Sequence, residues 1–256
     1  IYYAISKFPD YGKLAKIDME NQRSGVRIKN DEYEKDSVAD FALWKAWDES
    51  DGDVVWDSPW GKGRPGWHIE CSAMSMKYLG PHFDIHTGGI DNMFPHHEDE
   101  IAQSEAANGV KFVNYWLHCE YLIVDGQKMS KSLGNFFTLR DLFDKDIAAE
   151  EIRWALIASH YRKKLNFTFD LCRQARENLK KLRELFADLK NTAENGANGE
   201  DAASLIETAE QRFSAGLADD LNIAESLAAM FTFNNELRKR LDTSELSADG
   251  AKAALD

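Results

Sequence analysis

Between Trp67 and Val124 the chain switches period several times, and this alternation constrains its fold more than any other feature. Residues 67–79 carry helical spacing and stop at Gly80-Pro81. Phe83-Asp84-Ile85-His86 reads as a short strand that runs into Thr87-Gly88-Gly89. Pro95 opens a second helix, where its missing N–H costs nothing, and Asn108-Gly109 closes it. Glu98, Asp99 and Glu100 in the first turn suit the helix dipole. Residues 112–118 and 120–124 read as strands, followed by a turn at Asp125-Gly126. Strand, helix, strand in that order predicts an α/β fold with a parallel sheet. Beyond about residue 147 the character changes: 147–160, 168–190, 203–216 and 223–241 are helical by periodicity, with a polar connector at 191–202. An α-helical bundle is therefore expected to follow the α/β part.

The flanking segments are less regular. Residues 1–15 read as a strand entering a turn at Phe8-Pro9-Asp10-Tyr11-Gly12, and 16–40 as a polar surface excursion. Residues 48–66 are dense in Gly and Pro, yet Trp56, Trp60 and Trp67 favour an ordered loop. The opening Ile1-Tyr2-Tyr3-Ala4 looks like a strand entered partway, so a truncated N-terminus is expected. With 43% hydrophobic residues the chain is globular, and without a run of about 18 apolar residues it carries no membrane span. Three widely spaced cysteines, Cys71, Cys119 and Cys172, argue against a disulfide framework and for a reducing, cytoplasmic setting. The net charge of −13 speaks against nucleic-acid binding only weakly, because a partner meets a local patch rather than an average.

Two constellations carry chemistry. His96 and Glu100 stand four apart on the second helix and share a face, and Cys71 would approach from the preceding helix. Sulfur, imidazole and carboxylate together suit Zn²⁺. Spacing alone also allows, and more often means, a solvated helix start beside a buried cysteine. His97 and His82 are candidate neighbours of this cluster, and His68 a weaker one.

The second constellation lies past a strand end, where ligands bind in open α/β sheets. His86, Gly88, Gly89 and Asp91 stand there, and the two glycines would let a ligand approach the backbone, as a tight turn would also explain. Further on, Lys128-Met129-Ser130-Lys131-Ser132-Leu133-Gly134-Asn135 makes a cationic, hydroxyl-bearing loop able to meet a phosphate group, or simply a solvated one.

Lys128 to Ser132 spells KMSKS, the second signature of class I aminoacyl-tRNA synthetases. The stretches from Gly63 to Met74 and from Phe94 to Glu105 resemble the cysteinyl-specific branch of that class. The resemblance covers roughly residues 1–190 and is looser over 203–241. It implies the second half of a Rossmann-like nucleotide-binding domain followed by the helical bundle. Residues 1–66 would end an insertion and return to the sheet, 67–146 would be catalytic with the KMSKS loop, and 147–256 would face the tRNA stem. It also implies ATP-dependent activation of cysteine, with Mg²⁺, and transfer to the 3′ end of its tRNA. Carried over by position, Cys71, His96 and Glu100 match zinc ligands, and Lys128 and Lys131 match the lysines that meet ATP phosphates. His86, Gly88, Gly89 and Lys131 match nucleotide contacts, while Trp67, Asp91 and His97 match the amino-acid side. Zinc at the substrate sulfur would separate cysteine from serine, which a purely apolar pocket discriminates by only about 1–3 kcal/mol.

The sequence departs from that pattern in places. No residue here matches the family's fourth zinc ligand, its first, histidine-rich signature or its anticodon-binding portion. Thr87 replaces a usual glycine, which matters only if a positive φ is needed there. Arg162, Lys163, Lys164, Arg173, Arg176, Lys180, Lys181 and Arg183 would offer a tRNA-facing stripe, or a solvated face of i,i+4 pairs. The alternatives are a cysteine:amino-sugar ligase of the mycothiol type and an inert zinc- or RNA-binding fragment. A zinc hydrolase ranks lower, since nothing places a general base beside an activated water.

Overall fold

The computed structural model describes residues 1–17, 40–196 and 198–255; the predicted excursion at 16–40 lies almost wholly outside them. The chain divides into two compact units, Ile1–Cys119 and Glu120–Asp256.

In the first unit, β1 (Tyr2–Tyr3) pairs antiparallel with β2 (Phe41–Ala42), and β3 (Trp44–Ala46) with β4 (Gly63–Pro65). Gly66 follows directly: a Cβ there would stand 1.8 Å from the Ala42 carbonyl, so only glycine lets the chain pass this close before turning into α1 (Trp67–Leu79). Then come β5 (Phe83–Gly89), α2 (Glu98–Asn108) and β6 (Val113–Cys119). β5 and β6 are parallel, with Phe83 opposite Val113 and Gly89 opposite Cys119, and α2 is the crossover that a parallel pair requires. Ile101, Phe112 and Val113 form a core against which Phe8, Leu14, Met76, Phe83 and Trp116 pack.

The second unit begins with a hairpin of β7 (Leu122–Val124) and β8 (Gln127–Lys128), turned at Asp125 (φ 48°) and Gly126 (φ 77°). After them come α3 (Leu139–Phe143), α4 (Ala149–Ile157), β9 (Leu165–Phe167) and α5 (Phe169–Asn195). β9 pairs parallel with β7, a strand the periodicity did not announce because it is only three residues long. Val124, Leu142, Ile147, Ile152, Ala155, Phe167 and Cys172 bury together. The unit closes with α6 (Ala203–Ala218), α7 (Ile223–Asp242) and α8 (Ala248–Ala253), gathered around Leu185, Leu189, Leu237 and Leu246.

The fold class is thus α/β with a large helical share. Two sequence readings need correction. α5 runs on to Asn195, so the connector expected at 191–202 is shorter; Leu189, buried against Leu237, anchors that last stretch of helix. The second helix becomes α-helical at Glu98 rather than at Pro95, because Phe94 is extended (φ −139°, ψ 132°) and kinks the chain just before it. Among the described residues no helix is long and apolar enough to cross a membrane.

Candidate metal centre and lysine loop

The junction of α1 and α2 is polar rather than oily. Ser72 on α1 is buried, and its hydroxyl accepts from Gln103 Nε2 at 2.6 Å and meets Ser104 Oγ at 2.9 Å. Gln103 Nε2 also donates to the His68 carbonyl at 2.6 Å. Small residues at this seam let the helices close together, which brings Cys71 to the start of α2.

That start is unusual. Glu98, Asp99 and Glu100 do occupy the first turn of α2, as the sequence predicts, but that turn is not solvated; all three are at most 1% exposed. Burying three carboxylates is tolerable only if each is bonded. Glu98 accepts from the Leu14 and Ala15 amides at 3.1 and 3.2 Å, although burial still raises its pKa. Asp99 accepts a short bond from the Tyr11 hydroxyl, whose own pKa is raised by burial and by that carboxylate. Asp99 Oδ2 also lies 3.2 Å from His68 Nε2.

Glu100 sits between two imidazoles. His86 Nε2 is 2.9 Å from its Oε2, and His96 Nε2 is 2.9 Å from its Oε1. Burial raises the Glu100 pKa, but the two facing imidazoles outweigh it and bring it down to about 2, so the group is ionised. Oε1 is nonetheless left without a hydrogen-bond partner, although His96 Nε2 lies 2.9 Å away.

A chain of contacts explains why. His68 Nδ1 lies 2.7 Å from His96 Nδ1, and Asp99 holds the far side of His68. If His68 donates to Asp99, its Nδ1 accepts from His96, and the His96 Nε2 lone pair then points at an ionised carboxylate oxygen. Two acceptors facing each other inside a protein call for a cation between them. The outer carboxylate–histidine pair is the usual support of an imidazole metal ligand. Cys71 Sγ completes the set: one ligand atom each from Cys71, His96 and Glu100 lie within 4.8 Å of one another. Burial and the nearby Glu100 and Glu70 push the Cys71 thiol pKa up, an effect a bound cation reverses. Trp67 stacks on His96 with ring centres 4.0 Å apart, while 57% of its surface stays exposed. The donors present therefore fit a borderline ion such as Zn²⁺.

His97 lies beside this cluster as expected, but His68 and His82 exchange places. His68 is joined directly to His96, whereas His82 sits on the surface against the Lys111 carbonyl at 2.7 Å. His97 is buried and bonded through Nδ1 to His118 Nε2 at 2.8 Å; burial lowers its pKa to about 4, so it is neutral at pH 7. The glycines of this corner answer to side chains of the pocket itself. A Cβ on Gly88 would meet His97 Cε1 at 2.6 Å, and one on Gly89 would meet Asp91 Oδ1 at 2.4 Å. Thr87 is an ordinary strand residue opposite Leu117, with no positive φ, so the threonine is accommodated.

In the second unit, Lys128 and Lys131 are exposed, and Lys131 Nζ rests 5.6 Å from the Phe136 ring centre. Met129 between them packs on the core. Asn135 ties the loop: its Oδ1 accepts from the Ser130 amide at 2.8 Å and its Nδ2 donates to the Lys128 carbonyl at 3.1 Å. The four arginines of the basic stripe are each paired with a carboxylate. Arg176 bonds Glu151 at 2.6 Å, Arg183 bonds Glu150 at 2.8 Å, Arg162 bonds Asp220, and Arg173 pairs with Asp170. Lys180 and Lys181 form no ion pair among the described residues. Sequence reasoning missed the parts of Asp99, His118 and Asn135; their only signal was standing next to residues already singled out.

Residues 1–177 match the family described as "tRNA synthetases class I (C) catalytic domain". Curated relatives named "Cysteine--tRNA ligase" include one from Brachyspira hyodysenteriae, 55% identical over 95% of this chain and 52% of its own. Those from Chlamydia felis (48%) and Protochlamydia amoebophila (49%) each match all of this chain and 54% of their own. The chain thus spans about half the length of the curated relatives it matches. Among solved structures, the Agrobacterium radiobacter K84 LeuRS–tRNA–LeuAMS ternary complex is alike in fold, with a TM-score of 0.62 at 17% identity. That likeness covers 81% of this chain and 32% of the other.

Proposed function

This chain belongs to the class I (C) tRNA synthetase catalytic-domain family, and from that premise we propose that it is the portion of a cysteine--tRNA ligase that selects cysteine and meets the ATP phosphates. One observation carries the reading: a buried, ionised carboxylate oxygen of Glu100 without a donor, facing His96 Nε2 and within reach of Cys71. Cys71, His96 and Glu100 hold Zn²⁺. When bound, the ion offers a soft site to the substrate sulfur and lowers its pKa, which favours cysteine over serine. His68 and Asp99 keep the His96 lone pair turned inward. Trp67 covers the amino-acid pocket, while His97 and Asp91 line it.

In the first half-reaction a carboxylate oxygen of cysteine attacks the α-phosphorus of ATP, and pyrophosphate leaves with the bonding electrons. Mg²⁺ accompanies ATP. His86, Gly88 and Gly89 border the nucleotide, and Lys128 and Lys131 neutralise charge that develops on the phosphates. A hydroxyl of the terminal tRNA adenosine then attacks the acyl carbon, and AMP leaves. The Rossmann-like assignment of the α/β part and the tRNA-facing assignment of the helices belong to the same proposal. Lys180 and Lys181 are its basic contacts, since the arginines are occupied.

Pyrophosphate exchange by the full-length protein tests the reading. Exchange should require cysteine, fall to background with serine, and disappear in Cys71→Ser together with its zinc. Equal exchange with both amino acids sinks it. Charging of tRNA, with no transfer to an amino-sugar, should follow.

A further inference from the structure

Glu100 has two oxygens, and each faces its own imidazole. His96 Nε2 lies 2.9 Å from Oε1, and His86 Nε2 lies 2.9 Å from Oε2. Glu100 also belongs to a second ligand cluster: one ligand atom each from His86, His97 and Glu100 lie within 4.8 Å of one another. Each half also has an outer support of its own. His68 backs His96 at 2.7 Å, and His118 backs His97 at 2.8 Å. His86 Nδ1 lies 3.3 Å from the Thr87 carbonyl, and a proton donated there turns the Nε2 lone pair toward Glu100.

Building on the zinc reading above, we propose that this pocket holds a second, weaker position for a borderline divalent transition ion, formed by His86, His97 and Oε2 of Glu100. The shared carboxylate bridges the two positions. Two nitrogens and one oxygen suit Zn²⁺, Co²⁺ and, most strongly, Cu²⁺. Affinity is lower than at the first position for two reasons. No thiolate contributes, and a dication already sits across the same carboxylate. The second position therefore fills only when the ion is in excess. Because His86 and His97 also border the substrates in the proposed function, its filling shuts the pocket to them. Excess zinc becomes an inhibitor through His86 and His97, which the thiolate site does not use.

Titrating the metal-free full-length protein with Co²⁺ tests this without any activity measurement. The first equivalent should bring the intense thiolate-to-cobalt charge-transfer band of Cys71. The second should add only weak ligand-field absorption, with the charge-transfer band unchanged. In His97→Gln and in His86→Asn the ion count should fall from two to one while that band persists; far-UV circular dichroism reports whether each variant folds. A wild-type titration that ends at one ion per chain overturns the second position, and this measurement depends on no variant. So does a second equivalent that survives both substitutions. If instead the first equivalent brings no charge-transfer band, the thiolate centre itself is wrong, whatever the total count.

Discussion

Arg162 grips Asp220 with two bonds, Nε to Oδ2 at 2.5 Å and Nη2 to Oδ1 at 3.1 Å, while the Tyr161 hydroxyl donates to the same carboxylate at 2.6 Å. The pair fastens the turn after α4 to the turn between α6 and α7, 58 residues apart in sequence. The bonds from Arg162 and then Tyr161 hold the Asp220 pKa down at about 2. An unfolded chain binds this proton nearer pH 4, so the contact stabilises fully above that pH and is lost as pH falls toward 2. Asp220 has φ 52°, which asparagine tolerates, so Asp220→Asn removes charge without backbone strain. The variant should melt lower than wild type at pH 7, and the gap should close between pH 4 and 2. Acid titration followed by circular dichroism checks it; a gap constant across that window contradicts the clamp.

Asn135→Ala should release the start of the lysine loop while leaving the core intact. Misplacing catalytic groups by about 1 Å costs up to ~100-fold in rate. Pyrophosphate exchange should slow by roughly 10–100-fold, with the KM for cysteine and the melting temperature little changed. A large fall in melting temperature would make the residue merely structural.

His68→Ala removes the support of His96. Outer partners of metal-bound histidines are worth about 10–100-fold in affinity, so zinc should be lost to a competing chelator at correspondingly lower chelator concentration. His82→Ala, on the surface, should hold zinc as wild type does. Equal zinc affinity in the two variants contradicts the Asp99–His68–His96 chain.

Gly88→Ala places a methyl 2.6 Å from His97 Cε1. Overpacking of this kind costs about 1–3 kcal/mol, and denaturant unfolding should show that loss. Unchanged stability would mean His97 rotates away freely.

The elements that span many residues were legible in the sequence. The helix at Trp67–Leu79 and the strand–helix–strand order need only periodicity and Gly-Pro punctuation. Cys71, His96 and Glu100 were readable because i,i+4 spacing survives folding, and the structure does bring them together. What escaped depends on three-dimensional pairing. Three acidic residues at a helix start look solvated in one dimension; only Leu14, Tyr11, His68 and His86 arriving from elsewhere show why they are buried. The partners of the arginine stripe were hidden in the same way, since Glu150 and Glu151 lie on another helix.

The hydroxyl seam of Ser72, Gln103 and Ser104 sets how the pocket behaves when empty. Oily helix faces can shift past each other at little cost, whereas directed bonds hold one register. The spacing between thiol and imidazole is thus fixed in advance, like the jaws of a gauge. An ion of the wrong radius meets a frame that will not adjust to it.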